Sequence, residues 1–180
     1  MPKLIRFTVA VSLAVTVAAA ALYWRSGEGV FLTLAITFGT ITYHLGARLL
    51  SGAVFGRAIK VRWAYDKGWF RVRPWEMELY KLLRVKAWKD KMPTYSPEAF
   101  SPRLHSWEEI AVAMCRSELV HEANALLSFL PLMASGWFGA FYVFLLTSLG
   151  GAAFDLSFAA IQRYNRGRLV KIAARRPNHH

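Results

Sequence analysis

The sequence predicts an all-α integral membrane protein with four transmembrane helices, N-in/C-in, and an amphipathic interfacial helix between spans two and three. Three observations lead there. Apolar runs are long enough to cross a bilayer, basic residues crowd the segments between them, and one connecting segment carries tryptophans and leucines at helical spacing. The chain of 180 residues is 55% hydrophobic and has a formal net charge of +12. A soluble protein this basic would suggest a nucleic-acid partner, but the charge avoids the apolar runs, so no nucleic acid is expected. The single cysteine, Cys115, excludes an internal disulfide and a cysteine-rich metal site.

The first apolar run, about 4–24, follows Lys3 and Arg6. Its Ala18–Ala21 stretch resembles a signal-peptidase site, yet the run is long enough to span and reads as an uncleaved helix. The second span is placed at about 29–50. From about Leu119 to Ile161 the chain is again apolar, roughly twice the 20 residues that one crossing needs. It is divided into spans at about 117–135 and 138–161, with the turn at Ser135-Gly136-Trp137. Residues 1–176 then form one membrane domain. Positions 177–180 read as a tail, and the His179-His180 pair, which a purification tag could leave, is given no role.

Orientation follows from the loops. The segment 56–106 carries Arg57, Lys60, Arg62, Lys67, Arg71, Arg73, Lys81, Arg84, Lys86, Lys89 and Lys91. The C-terminal end adds Arg166, Arg168, Lys171, Arg175 and Arg176, whereas the opposite loops hold little beyond Arg25 and Glu28. The excess of positive charge predicts both termini on the cytoplasmic side of a multi-pass protein of the cell inner (cytoplasmic) membrane. Within the loop, Pro74 opens a predicted helix that sets Trp75, Leu79, Leu82 and Leu83 against Glu76, Glu78, Lys81 and Arg84. With Trp63, Trp69 and Trp88 nearby, it reads as a helix in the headgroup layer. After a break at Pro93, Pro97 and Pro102, Ser106-Trp-Glu-Glu109 has capping-box spacing and opens a long helix into the third span.

Ionisable groups at membrane depth are costly and default to functional candidates. Thr33, Thr37, Thr40, His44 and Arg48 form one polar stripe on the second span. Glu118, His121 and Glu122 share a face of the third, and Asp155, Gln162 and Arg166 a face of the fourth. The topology brings these groups to one level near the cytoplasmic surface. Arg48 is best explained as snorkelling to the headgroups, and Gln162-Arg163-Tyr164-Asn165-Arg166 is equally readable as an ordinary basic helix end. Asp155 sits deepest and is expected to pair with His or Arg. Cys115 reads as a packing residue, since nothing nearby lowers its pKa.

A carboxylate one turn from a histidine orients the ring and raises its basicity. His121 is therefore read as a general base with Glu118 as its partner, beside basic residues suited to an anionic or polyhydroxyl headgroup. No metal is assigned: di-iron bundles need two Glu-x-x-His pairs and this chain has one. A mononuclear site from His44, His121, Glu118 and Asp155 has no supporting motif. There is also no Gly-x-Ser-x-Gly elbow, no Gly-rich phosphate loop, and no His-x-x-x-x-Asp of soluble glycerolipid acyltransferases.

Glu118-Leu-Val-His121 within Arg116-Ser-Glu-Leu-Val-His, followed by Ile161-Gln-Arg-Tyr-Asn-Arg-Gly-Arg-Leu169, resembles the glycosyl-4,4'-diaponeurosporenoate acyltransferases of staphyloxanthin-type carotenoid biosynthesis. Trp69-Phe-Arg-Val-Arg-Pro-Trp75 resembles that family's aromatic-basic segment, and the likeness runs over roughly residues 43–170. The resemblance implies a membrane transferase that moves a fatty acyl group onto a sugar hydroxyl of a glycolipid. It implies no cofactor beyond an acyl donor such as acyl-CoA or acyl-carrier protein, and a membrane lipid as acceptor. His121 and Glu118 are the expected catalytic residues. His44, Arg48, Glu122, Asp155, Gln162, Arg163, Asn165, Arg166 and Arg168 are expected around the substrates. The rival readings are a metal-dependent lipid-modifying enzyme and a non-catalytic scaffold for lipid-synthesis enzymes.

Overall fold

The computed structural model describes residues 2–58, 65, 68–94 and 96–173. Trp63 and the basic residues Lys60, Arg62, Lys67, Arg175 and Arg176, together with positions 177–180, lie outside the described residues. Every regular element described is helical: α1 (Pro2–Ser26), α2 (Gly29–Ala58), α3 (Pro74–Leu82), α4 (Val85–Trp88), α5 (Trp107–Leu127), α6 (Ser135–Phe138) and α7 (Phe141–Ala173), with short 3-10 turns between some of them. Three helices are apolar and long enough to cross a membrane, over Lys3–Ser26, Gly29–Val54 and Phe141–Ile172. Their large apolar side chains, such as Leu4, Phe7, Val17, Leu50, Leu146 and Phe154, remain exposed in the protein. A soluble monomer rarely tolerates so much apolar surface. The chain is a membrane protein.

The fold divides into two compact units. The first comprises residues 1–52 and 124–153, the second 53–123 and 154–180. In the first, α1 ends where Gly27 takes a positive φ of 70° and returns its N–H to the Tyr23 carbonyl at 2.8 Å. That is the left-handed cap a glycine supplies without Cβ strain. Thr42 of α2 donates to Ser12 of α1 at 2.8 Å, and Ser51 donates to Asn124 of α5 at 2.6 Å. The end of α5 has a covalent cause. Pro131 has no N–H to give the carbonyl of Leu127, and its ring would clash there, so α5 stops at Leu127. The Tyr43 hydroxyl donates to that carbonyl instead, at 2.7 Å. The turn expected at Ser135-Gly136-Trp137 is the short helix α6. The break falls after it, at Gly139 (φ 67°) and Ala140 (φ 50°). Gly139 accommodates a cap that closes on the Ser135 carbonyl at 3.0 Å.

The second unit is built around Tyr80, Val85, Ile161 and Tyr164, with Met77, Trp88 and Met92 packed against them. Helix α3 forms as expected, and its faces sort three ways. Trp75, Leu79 and Leu82 are exposed, and Glu78 pairs with Lys81 at 2.6 Å on another exposed face. Glu76 does not share that polar face. It is buried with Tyr80, four residues on, and accepts from the Arg73 N–H at 2.6 Å, satisfying a donor that the helix start leaves free. At the start of α5 the expected capping box is present: Glu109 N–H donates to Ser106 Oγ at 3.2 Å, and Ser106 N–H to Glu109 Oε2 at 2.8 Å.

Candidate active site

Two polar constellations occupy neighbouring turns of the second unit, and each is assembled from α5 and α7. The first is an ion-pair knot. Glu118 is completely buried, and its carboxylate receives Arg163 Nη1 at 2.6 Å and Arg166 Nη1 on its other oxygen. Arg163 and Arg166 are three residues apart, so one face of α7 presents both guanidinium groups to one carboxylate. Each arginine is also tied to the segment before α3. Arg163 Nη2 donates to the Trp69 carbonyl at 2.8 Å and lies 3.0 Å from Glu76 Oε1; Arg166 Nη2 donates to the Phe70 carbonyl at 2.8 Å. The guanidinium of Arg163 sits over the Trp69 ring, and that of Arg166 over Phe70, at 5.6 Å and 5.4 Å. Burial of such charges is tolerable only because each is paired and hydrogen-bonded. Gly167 lets α7 approach this segment closely: a Cβ there would lie 3.3 Å from both Met77 Sδ and Val72 Cγ1.

The second constellation is a histidine–carboxylate dyad. His121 Nδ1 lies 2.9 Å from Asp155 Oδ1, and Asp155 is completely buried. A carboxylate accepts, so Nδ1 is the donor and Nε2 carries the lone pair. Phe158 stacks on the imidazole, with ring centres 4.8 Å apart and planes 13° from parallel. Aspartate behind and phenylalanine alongside fix the ring's orientation. The imidazole itself is partly exposed, which a proton-transferring group needs.

The expected partner of His121 is therefore corrected. It is Asp155 and not Glu118. The i, i+3 spacing puts Glu118 and His121 on one face of α5, but two guanidinium groups of α7 occupy both oxygens of the Glu118 carboxylate. Arg166 is corrected as well. Expected around the substrates, it is 0% exposed and holds the knot together. Arg163 is largely committed to the same role. Arg168 is exposed and lies over Tyr164 at 5.8 Å, while Gln162 and Asn165 are half-buried. Glu122 accepts the Trp69 indole N–H at 2.9 Å. Glu76 and Phe158 were not legible as site residues, since both depend on partners distant in sequence.

His44 and Arg48 belong to the first unit. Arg48 does not simply snorkel: it donates to its own helix at the His44 carbonyl, 2.7 Å, and to the Gly151 carbonyl at 3.1 Å. A Cβ on Gly151 would lie 3.2 Å from His44 Nδ1 and 3.0 Å from Ser128 Oγ, so the glycine is what admits those side chains. Cys115 is fully buried on α5, and burial pushes its thiol up to about 11, as a packing residue requires. Among the described residues, no three His, Cys, Asp or Glu side chains gather as a metal site would demand.

Compared with known proteins, residues 66–175 match the family model described as CrtO, glycosyl-4,4'-diaponeurosporenoate acyltransferase. The matched stretch contains the whole knot and the dyad, but not His44 or Arg48. No curated protein and no solved structure matches the chain.

Proposed function

The chain belongs to the glycosyl-4,4'-diaponeurosporenoate acyltransferase family, and from that premise we propose that it transfers a fatty acyl group from a thioester donor to a hydroxyl of a glycosylated lipid at the cytoplasmic face of the membrane. The donor is acyl-CoA or acyl-carrier protein, and the acceptor is a membrane lipid. The observation that carries the reading is the His121–Asp155 dyad, with its oriented and partly exposed imidazole inside the matched segment. His121 Nε2 takes the proton of the acceptor hydroxyl as its oxygen attacks the thioester carbonyl. The carbon–oxygen ester bond forms, the carbon–sulfur bond breaks, and the thiolate leaves with the proton that His121 returns. Asp155 holds the Nδ1 proton and stabilises the imidazolium that forms between these steps. The Glu118–Arg163–Arg166 knot positions the catalytic turn of α5 against α7 and takes no part in proton transfer.

Four crossings with both termini in the cytoplasm fit this chemistry best. The knot joins Arg163 and Arg166, near the end of α7, to residues 69–76, soon after α2. If α7 crosses the membrane, its start lies on the opposite side, and the chain between α3 and α7 must cross too. Charged residues keep α5 from being a span by composition alone, but its end runs antiparallel to α2: Asn124 meets Ser51 and Leu127 meets Tyr43. Together with residues 128–138 it supplies the missing crossing. A three-crossing chain would instead put Arg163, Arg166, Arg168 and Lys171 outside, against the distribution of positive charge.

The test is purified protein in liposomes with a glycosylated long-chain lipid and radiolabelled acyl-CoA or acyl-carrier protein. The expected product is a lipid carrying an alkali-labile acyl ester on its sugar. Folded protein that forms no such ester with either donor contradicts the reading.

A further inference from the structure

A cleft of about 380 Å³ opens wholly within the second unit, on the same helical turns as the dyad. Its walls come from four elements. Helix α3 contributes Trp75 and Tyr80, α5 contributes Glu122, α7 contributes Leu156 and Arg163, and Trp69 comes from the 3-10 turn before α3. Both indoles are unusually open for such large apolar groups: Trp69 is 65% exposed and Trp75 is 59% exposed. On the same wall as Trp69 lies polar chemistry that is already oriented. Trp69 Nε1–H donates to both Glu122 oxygens, at 2.9 and 3.2 Å, and Arg163 Nη1 stands 3.8 Å from the same carboxylate. The Tyr80 phenol is pushed up to about 12, chiefly by burial, so it is a neutral hydroxyl at any working pH.

We propose that this cleft is the subsite for the sugar of the acceptor, taking a hexopyranoside between the Trp69 and Trp75 rings with its hydroxyls on Glu122. The inference rests on the acyltransfer reading above and names where its acceptor is held. The chemistry matches part by part. A pyranose ring has an apolar C–H face, weakly positive, which the negative face of an indole attracts. Its edge is a row of hydroxyls, and a carboxylate with its remaining lone pairs accepts from such neighbours. An apolar wall with a few placed polar groups is the usual make-up of a small-molecule site. The cleft shares helical turns with the dyad: Glu122 follows His121 and the cleft residue Leu156 follows Asp155, while the dyad itself does not line it. A lipid-anchoring role for the two indoles alone would not call for a carboxylate on the same cleft wall.

The full-length protein in lipid nanodiscs tests this with two readouts. The first is kcat/KM for a glycosylated acceptor relative to a long-chain alcohol of matched apolar length without the sugar. Trp75→Ala and Glu122→Gln should each lower that ratio by about tenfold, the loss of one stacking or charged hydrogen-bonding contact. Trp75→Phe, which keeps an aromatic face, should restore most of it. The second is saturation-transfer NMR with methyl β-D-glucopyranoside, which needs no turnover: the wild-type protein should saturate the ring protons of the sugar, and Trp75→Ala should abolish the effect. An unchanged ratio in both variants overturns the subsite while leaving acyl transfer intact. If the wild-type protein transfers no acyl group, the functional reading fails, and the NMR arm alone decides whether the cleft binds the sugar. Absence of sugar saturation in the wild type overturns the inference.

Discussion

Glutamine in place of Glu118 removes the single negative charge shared by the guanidinium groups of Arg163 and the fully buried Arg166. The structure says how that loss is distributed. Arg163 keeps Glu76 at 3.0 Å and the Trp69 carbonyl at 2.8 Å, so it retains a counter-charge. Arg166, with no exposed surface, keeps the Phe70 carbonyl at 2.8 Å. Most of the cost therefore falls on Arg166. Removing one partner of a buried ion pair typically costs about 3–5 kcal/mol. In a chain of this size that lowers the unfolding midpoint by roughly 6–20 °C. The protein carries its own reporter: Cys115 is its single cysteine, fully buried one turn before Glu118. A thiol-reactive dye that fluoresces on coupling therefore reads the opening of this unit directly. Glu118→Gln should release Cys115 at the lower temperature, and Glu118→Leu combined with Arg166→Met should recover much of the loss, because both charges go together. Glu122→Gln, which removes a half-buried carboxylate, should move the midpoint by only a few degrees. A Glu118→Gln midpoint equal to wild type would refute the knot as a structural element.

Tyr43→Phe takes away the donor to the Leu127 carbonyl that Pro131 leaves open, and should cost about 1–3 kcal/mol, read from thermal unfolding in detergent. At the start of α5, the backbone N–H and hydroxyl of Ser106 hold the Glu109 carboxyl below the usual carboxylate range. A depressed carboxylate stabilises the fold above its unfolded pKa and loses that contribution as pH falls through the folded value. The protection factors of the amides at residues 107–110, taken relative to the intrinsic exchange rate at each pH, should therefore fall on acidification in wild type, and Glu109→Gln should flatten that response. Reporter fusions after Gly27 and Gly136 should read outside, and those after Gly68 and Pro177 cytoplasmic. A cytoplasmic signal at Gly136 would remove the third and fourth crossings.

Local chemistry was largely legible from the chain alone. The Ser106–Glu109 box and the Pro74 helix start depend on neighbours within a turn, and the packing role of Cys115 on a small apolar side chain midway along a helix. They stand as read. What depended on a distant partner was not legible. Helical spacing shows that Glu118 and His121 share a face, but not that Arg163 and Arg166, more than forty residues on, would claim the glutamate and leave Asp155 to the histidine. Glu76 shows the same limit. Its place beside Glu78 suggests a solvated face, whereas a guanidinium from α7 and the free N–H of Arg73 draw it inward. The stretch expected as the third span is not one continuous helix, because α5 stops at Leu127, ahead of Pro131, and a 3-10 turn follows it.

The proposal stands or falls on the dyad, and the most direct measurement is single-turnover acyl transfer in proteoliposomes by His121→Ala and Asp155→Asn, each first shown to be folded by Cys115 protection. General-base assistance is typically worth about 10²–10⁴-fold. His121→Ala should lose activity to that extent, and Asp155→Asn less but clearly, because asparagine keeps the ring's hydrogen-bonding neighbour but not its charge. Folded His121→Ala protein turning over at near the wild-type rate would contradict the proposal.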